Sequence, residues 1–247
     1  MSALALILGR AGSKGVPGKN TAIVGGRPCV MWTIDCAREA SLVSRIAVST
    51  DDESMQRLAI DAGVDVVARP AHLASDAATV DDAARHAVEA LGWNTGPVAL
   101  LYANAPVRPA GLIDRALALL EATGCDSVQS VARVGKHHPW WTARLGDDGR
   151  LSPWEGTTLN NNVFRRQDLP PAYLPDGGAL VVTRRALFRE IPGVADGPHA
   201  FLGADRRAVA TEEGEVVDID SPVDLVVADA LLRGAGDLAA GQRPPAP

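Results

Sequence analysis

Short apolar runs and amphipathic stretches alternate along the first half of the chain. Ala3–Leu8 is a continuous apolar run stopped by Gly9 and Arg10, which predicts a strand buried on both faces. A helical pattern over 28–40 is followed by a second strand over 45–49, then by a helix over 52–62 that opens on acidic residues and closes at Gly63. The same rhythm predicts a strand at Asp65–Ala68, a helix over 80–91, a strand at Val98–Tyr102, a helix over 112–122 ended by Gly124, and a strand over 126–131. Such alternation implies an α/β fold with a mostly parallel sheet and helices on both faces. From 136 to 175 the rhythm breaks. His137, His138, Trp140 and Trp141 lead into a Gly-Asp-Asp-Gly turn, and the stretch reads as an excursion with hairpin character. Strand 179–183, helix 184–190, a last strand over 215–219 and a helix over 222–233 complete the domain, spanning 1–233. The Gly-, Ala- and Pro-rich tail, 234–247, is expected to be disordered.

Composition bounds this picture. With 247 residues, 47% of them hydrophobic and 22% charged, the chain is one globular domain able to bury its own core. Three cysteines with no metal-ligand spacing fit a reducing cytoplasm. No apolar run approaches the roughly 18 residues of a membrane span, and Ala3–Leu8 is too short for a signal peptide. The net charge of −6 argues against a nucleic-acid partner. That charge is unevenly spread: the first 34 residues carry Arg10, Lys14, Lys19 and Arg27 and no carboxylate. A cationic, glycine-rich segment in an acidic protein points to a bound anion.

The segment lies directly after the first strand, at the carboxyl end where open α/β sheets bind ligands. Gly12, Gly15 and Gly18 are spaced by three, so backbone amides can approach a ligand closely, while Arg10, Lys14 and Lys19 supply charge for a polyphosphate. It is not a Walker loop, because Ser13 stands six before Lys19 and Asn20 replaces the hydroxyl residue; nor is it G-x-G-x-x-G. Near the other end of the chain Asp218 and Asp220 lie two apart on an expected strand, which puts both carboxylates on one face. Such a pair suits Mg²⁺ together with substrate phosphates, and Asp220 before Ser221 and Pro222 is equally placed to cap a helix. Asp51 and Asp52 are read as helix caps, and the adjacent His137 and His138 as parts of a structural loop.

The run Arg10-Ala11-Gly12-Ser13-Lys14-Gly15-Val16-Pro17-Gly18-Lys19-Asn20 resembles the N-terminal signature of the acylneuraminate cytidylyltransferases. The resemblance continues in Ser49-Thr50-Asp51-Asp52, Arg69-Pro70 with Leu73-Ala74-Ser75-Asp76, Ala105-Pro106-Val107-Arg108, Arg166-Gln167-Asp168-Leu169-Pro170 and Val217-Asp218-Ile219-Asp220-Ser221-Pro222. It implies a Rossmann-like nucleotidyltransferase fold and a homodimer whose excursion reaches the partner's site. It also implies transfer of CMP from CTP to an acidic, sialic-acid-like sugar with release of pyrophosphate. By the same resemblance Arg10 and Lys19 would hold the phosphates, with Lys19 nearest the transferred one. Gly12, Ser13, Lys14, Asn20 and Arg69 would serve the nucleotide, Arg165, Arg166 and Gln167 the acid sugar or the partner subunit, and Asp218 and Asp220 the Mg²⁺. Two departures concern recognition. Tyr102 stands where the family has Gln, and Asp176-Gly177-Gly178-Ala179 replaces an Asn-Gly-Ala triplet. Another nucleotide, a sugar-phosphate or phosphonate acceptor, or a non-catalytic nucleotide-binding regulator remain alternatives on the same fold.

Overall fold

In the computed structural model, which describes residues 2–12 and 14–239, every residue of β1 (Ala3–Leu8) is buried. The chain then forms a small antiparallel pair, β2 (Ile23–Val24) and β3 (Arg27–Pro28), and enters α1 (Cys29–Glu39). Next come β4 (Val43–Thr50), α2 (Glu53–Asp61), β5 (Asp65–Ala68), α3 (Val80–Ala90), β6 (Val98–Tyr102), α4 (Leu112–Thr123) and β7 (Ser127–Arg133). The hairpin β8 (Ala143–Leu145) and β9 (Leu151–Pro153) follows, then β10 (Tyr173–Val182), α5 (Arg184–Leu187), β11 (Arg206–Thr211) and α6 (Pro222–Ala239). Seven strands form the central sheet in the order β11-β7-β10-β6-β1-β4-β5.

All neighbours in it are parallel except β10, which runs antiparallel to both β6 and β7. The excursion explains the exception. It leaves from the carboxyl end of β7 and returns to the same edge at Tyr173, so the returning strand must run the other way.

Because β1 is apolar at every position, it feeds both faces. Ala3, Ala5 and Ile7 pack with α1, α2 and α4 through Ile34, Met55 and Leu117, while Leu4, Leu6 and Leu8 pack with Ala87 and Val88 of α3 and Leu187 of α5. The expected sandwich of helices around a mostly parallel sheet is therefore present. No helix among the described residues is long and apolar enough to cross a membrane.

Beyond shifts of one or two residues, several boundaries differ from the sequence reading. The last strand is β11 and not 215–219, where Val217 makes a single antiparallel bridge to Val107. β10 starts six residues before 179, and α5 stops at Leu187. α6 continues past Arg233 to Ala239, so the beginning of the expected tail is helical; 240–247 lie outside the described residues. Asp52 caps α2, its Oδ1 accepting from the Ser54 and Met55 amides, whereas Asp51 turns to the glycine-rich loop and accepts from the Ala11 amide at 2.9 Å. His138 is buried in the base of the excursion: its Nδ1 accepts from the Trp140 amide, so its Nε2–H donates to the Pro170 carbonyl at 3.1 Å.

Candidate active site

β1 and β6 pair in parallel, with Leu8 opposite Tyr102, and beyond their carboxyl ends opens a cavity of about 290 Å³. Arg10, Lys19 and Asn20 from the glycine-rich loop, Arg69 from the end of β5, Asp76 and Thr79 before α3, and Asn104 after β6 all line it. Asn20 is buried and its side-chain amide donates to the Arg10 carbonyl at 3.0 Å, which fixes the start of the loop. Gly15 is dictated by a close approach: a Cβ there would stand 2.2 Å from the Asp220 carbonyl oxygen, so any side chain would push the loop off the acidic segment. At Gly12 a Cβ would meet nothing within 4 Å, leaving that part of the loop open. Ser13 lies outside the described residues.

The loop's cations are each matched to a carboxylate. Arg10 Nη1 and Lys14 Nζ contact the two oxygens of Asp76 at 2.8 and 2.6 Å, and they hold its carboxyl below the usual carboxylate range. Lys19 Nζ lies 2.5 Å from Asp220 Oδ1, with the lysine side chain largely buried. Arg69 is anchored by Ser49, donating to its carbonyl at 2.7 Å and its hydroxyl at 3.3 Å. Burial pulls the Arg69 pKa down, Asp51 pulls it up, and Arg10 pulls it down again. Cys29 borders this region, but burial pushes its thiol to about 12, so it is no nucleophile.

Asp218 and Asp220 sit on an extended segment, not on a strand. The Val217 amide donates to the Val107 carbonyl at 3.2 Å and the Ile219 amide to the Asn104 carbonyl at 2.8 Å. Ile219 is fully buried against Val24, Cys29 and Ala228, so alternation turns the carboxylates of Asp218 and Asp220 the other way. Helix capping belongs to Ser221 and Asp224: Asp224 Oδ2 accepts from the Asp220 and Ser221 amides and from the Ser221 hydroxyl. Asp220 is thereby free for Lys19. Burial, then the charge of Asp220, raises the Asp218 pKa. Two crowded carboxylates of this kind fit a hard divalent cation that takes its other ligands from phosphate and water, and no cluster of three or more potential ligands occurs among the described residues.

Tyr102 completes the wall beside Asp218. Gly177 has φ of +75°, and a Cβ on it would lie 3.7 Å from both Tyr102 Cδ2 and Asp218 Oδ2, so these three residues are neighbours. Burial, then Asp218, raises the Tyr102 pKa. Within this one chain Arg165, Arg166 and Gln167 stand apart from the cavity. Arg165 pairs with Asp168 at 2.8 Å and lies over the Phe164 ring; Arg166 pairs with Glu213 at 2.5 Å. Arg166 and Gln167 line a different cavity, of about 340 Å³, near Arg133 at the end of β7 and Glu212 after β11. Sequence reasoning did not single out Asp76, Thr79, Asn104 or Arg108. Asp76 and Arg108 lay inside matched blocks, and Asn104 stands two residues past a strand that ends in the pocket, which was the available signal.

The cationic loop and the carboxylate pair meet through Lys19 and Asp220 beside this cavity, at the carboxyl edge of a mostly parallel sheet. Residues 4–143, more than half of the 247, match the family model described as cytidylyltransferase, and the chain belongs to that family. It is 32% identical over 192 residues to the N-acylneuraminate cytidylyltransferase of Streptococcus agalactiae serotype V, a match covering 77% of this chain and 45% of that protein. The chain thus spans less than half the length of that relative. It is 27% identical to the CMP-N,N'-diacetyllegionaminic acid synthase of Legionella pneumophila, over 94% of this chain and 97% of that one. The fold is shared with the CMP:2-keto-3-deoxy-manno-octonic acid synthetase complexed with CTP, at a TM-score of 0.70 and 16% identity, covering 95% of this chain and all of the other.

Proposed function

We propose that the protein transfers CMP from CTP to an acidic sugar of the nonulosonic class, releasing pyrophosphate. The observation that carries this reading is the contact of Lys19 with Asp220, which joins the glycine-rich loop to the carboxylate pair at the edge of the cavity that Lys19 lines. The acceptor hydroxyl gives up its proton to water as its oxygen bonds to the α-phosphorus, the bond to the bridging oxygen breaks, and that electron pair leaves with pyrophosphate. Such a reaction needs alignment and charge stabilisation more than covalent chemistry. Arg10 and Lys14 exchange Asp76 for the β- and γ-phosphates, and Lys19 meets the charge growing on the α-phosphate. Arg69, held rigid by Ser49, serves the nucleoside end near Thr79. Asp218 and Asp220 would hold Mg²⁺, which would add positive charge against the phosphate oxygens. Tyr102 and Gly177 bound the acceptor end.

The protein acts as a homodimer in this reading. Trp154 and Phe164 on the excursion are 56% and 82% exposed, an apolar surface suited to a second copy. Assembly would bring Arg165, Arg166 and Gln167 to the neighbouring site. The free cysteines Cys29, Cys36 and Cys125 suit a reducing cytoplasm. Pyrophosphate release from a panel of nucleotides and acceptors tests the reading: CTP with an acid sugar should give turnover and a CMP-linked product. Turnover with a sugar phosphate instead, or binding without turnover, overturns it. Sedimentation as a monomer at micromolar concentration overturns the dimer.

A further inference from the structure

β10 accompanies β6 only as far as Leu180 opposite Leu100, and its register against β7 shifts between Pro175 and Leu180. The irregular stretch 176–178 of β10 therefore stands away from β6 just where the acceptor wall is built. Arg108 fills the resulting gap. Its Nε donates to the Gly178 carbonyl at 2.6 Å, Nη2 to the Tyr102 carbonyl at 3.0 Å, and Nη1 to the Thr33 hydroxyl at 2.9 Å and to the Ala105 carbonyl. Thr33 is fully buried on α1, and its hydroxyl reaches the same Tyr102 and Ala105 carbonyls at 3.2 and 3.3 Å.

From the opposite side Asp176 holds this stretch. Its carboxylate accepts from the Ser130 hydroxyl, from the Thr211 hydroxyl at 2.5 Å and from the Gly178 amide at 2.9 Å. Gly177 is thus clamped between two polar anchors, with Tyr102 and Asp218 each 3.7 Å from where a Cβ on it would stand. Among the described residues no carboxylate hydrogen-bonds to Arg108. Its planar fork is spent on three backbone carbonyls and one hydroxyl, a pattern that a compact ammonium cannot reproduce. Arg10, Asn20 and Arg69 at the nucleotide end use none of these bonds, being fixed by Asp76, by the Arg10 carbonyl and by Ser49.

We propose that Arg108 is a positioning residue for the acid-sugar end of the site, holding Tyr102 and Gly177 in place beside Asp218 while leaving the nucleotide end unaltered. The identity of the substrate at that end rests on the function proposed above; the placement of the residues does not. The test compares Arg108→Gln, Arg108→Lys and Thr33→Val with the wild type, using CTP and the acid sugar that the wild type turns over fastest. The KM for the acid sugar should rise about tenfold or more in Arg108→Gln, the effect of losing charge-assisted hydrogen bonds. The KM for CTP should stay within about twofold. Arg108→Lys should recover only part of the loss, and Thr33→Val should move in the same direction by less.

Hydrogen exchange gives a readout independent of turnover. In Arg108→Gln, amides at 102–105 and 176–178 should exchange faster, with those at 14–20 unchanged. A fall in kcat alone with both KM values and the exchange pattern unchanged overturns the proposal, as does an equal rise in the KM for CTP. If Arg108→Gln does not fold, Thr33→Val decides on the same two readouts. A wild type inactive with every acid sugar would overturn the transferase reading alone, and the exchange comparison would still judge Arg108.

Discussion

Lys19 and Asp220, 201 positions apart in sequence, meet at 2.5 Å, and through this contact the first loop and the last extended segment close one site. The loop approaches that segment so closely that Gly15 has no room for a side chain. Lys19 is thus preorganised where a phosphate would meet the carboxylate pair. Replacing it with alanine should lower turnover by at least about 10²-fold, since one such preorganised group supplies about 3 kcal/mol to the transition state. The fold should persist, because the loop is also held by Asn20 and by Asp51 at the Ala11 amide. An unchanged rate would take Lys19 out of the catalysis.

The carboxylate pair makes a second expectation. Because Ser221 and Asp224 cap α6, the carboxylates of Asp218 and Asp220 can be neutralised without uncapping the helix. The double substitution Asp218→Asn, Asp220→Asn should abolish Mg²⁺-dependent turnover and leave the thermal melt close to wild type. Unfolding of the double variant, with Mg²⁺ dependence intact in the single ones, would make the pair structural.

How far the sequence reveals this arrangement depends on what each residue's partners are. β1 and β6 are apolar at nearly every position because both faces are covered, and their predicted bounds match those observed. β11 escapes notice because it lies at the sheet edge and opens on exposed Arg206, Arg207 and Ala208. Residues 215–219 imitate a strand, since alternation there places Ile219 in the core, but their neighbour is the loop after β6 and no ladder forms. In the site, Arg10, Lys14 and Lys19 are legible from their clustering after a strand. The partnerships of Asp76 with Arg10 and of Arg108 with Gly178 are set by tertiary contact and have no local signature.

A third expectation concerns stability. Asp81, near the start of α3, is almost wholly buried and pairs with Arg85 and Arg189, both at 2.8 Å. Burial pushes its pKa up, but the pairing with Arg189 and Arg85 outweighs that and holds the carboxyl below its usual range. The unfolded chain therefore takes up this proton at higher pH than the folded one. The stabilisation is complete above the ordinary aspartate value, about pH 4, and fades as pH falls below it. Asp81→Ala should cost about 2–3 kcal/mol at neutral pH, somewhat less than a fully buried pair because the arginines reach solvent. The gap to wild type in denaturant melts should shrink toward about pH 3. A gap that stays constant over this range would show that the charge of Asp81 contributes nothing.

The last expectation concerns Tyr102, which ends β6 against Gly177 and Asp218 and lines the cavity. The resemblance leads one to expect glutamine here, an amide with both donor and acceptor; tyrosine offers one hydroxyl and a flat apolar ring. The exchange weakens polar readout and favours stacking on a sugar face. Arg10, Lys14 and Lys19 are anchored by Asp76 and Asp220, contacts that do not involve Tyr102, so pyrophosphate release should survive. Tyr102→Gln should therefore shift kcat/KM among acid sugars more than it changes the overall rate or the preference for CTP over UTP. The measurement is kcat/KM for CTP against UTP, and for N-acetylneuraminate against other nonulosonic acids, in both proteins. A wild type that already uses N-acetylneuraminate efficiently with strict CTP preference, and a variant that alters neither ratio, would remove Tyr102 from recognition and leave its ring as packing for the stretch around Gly177.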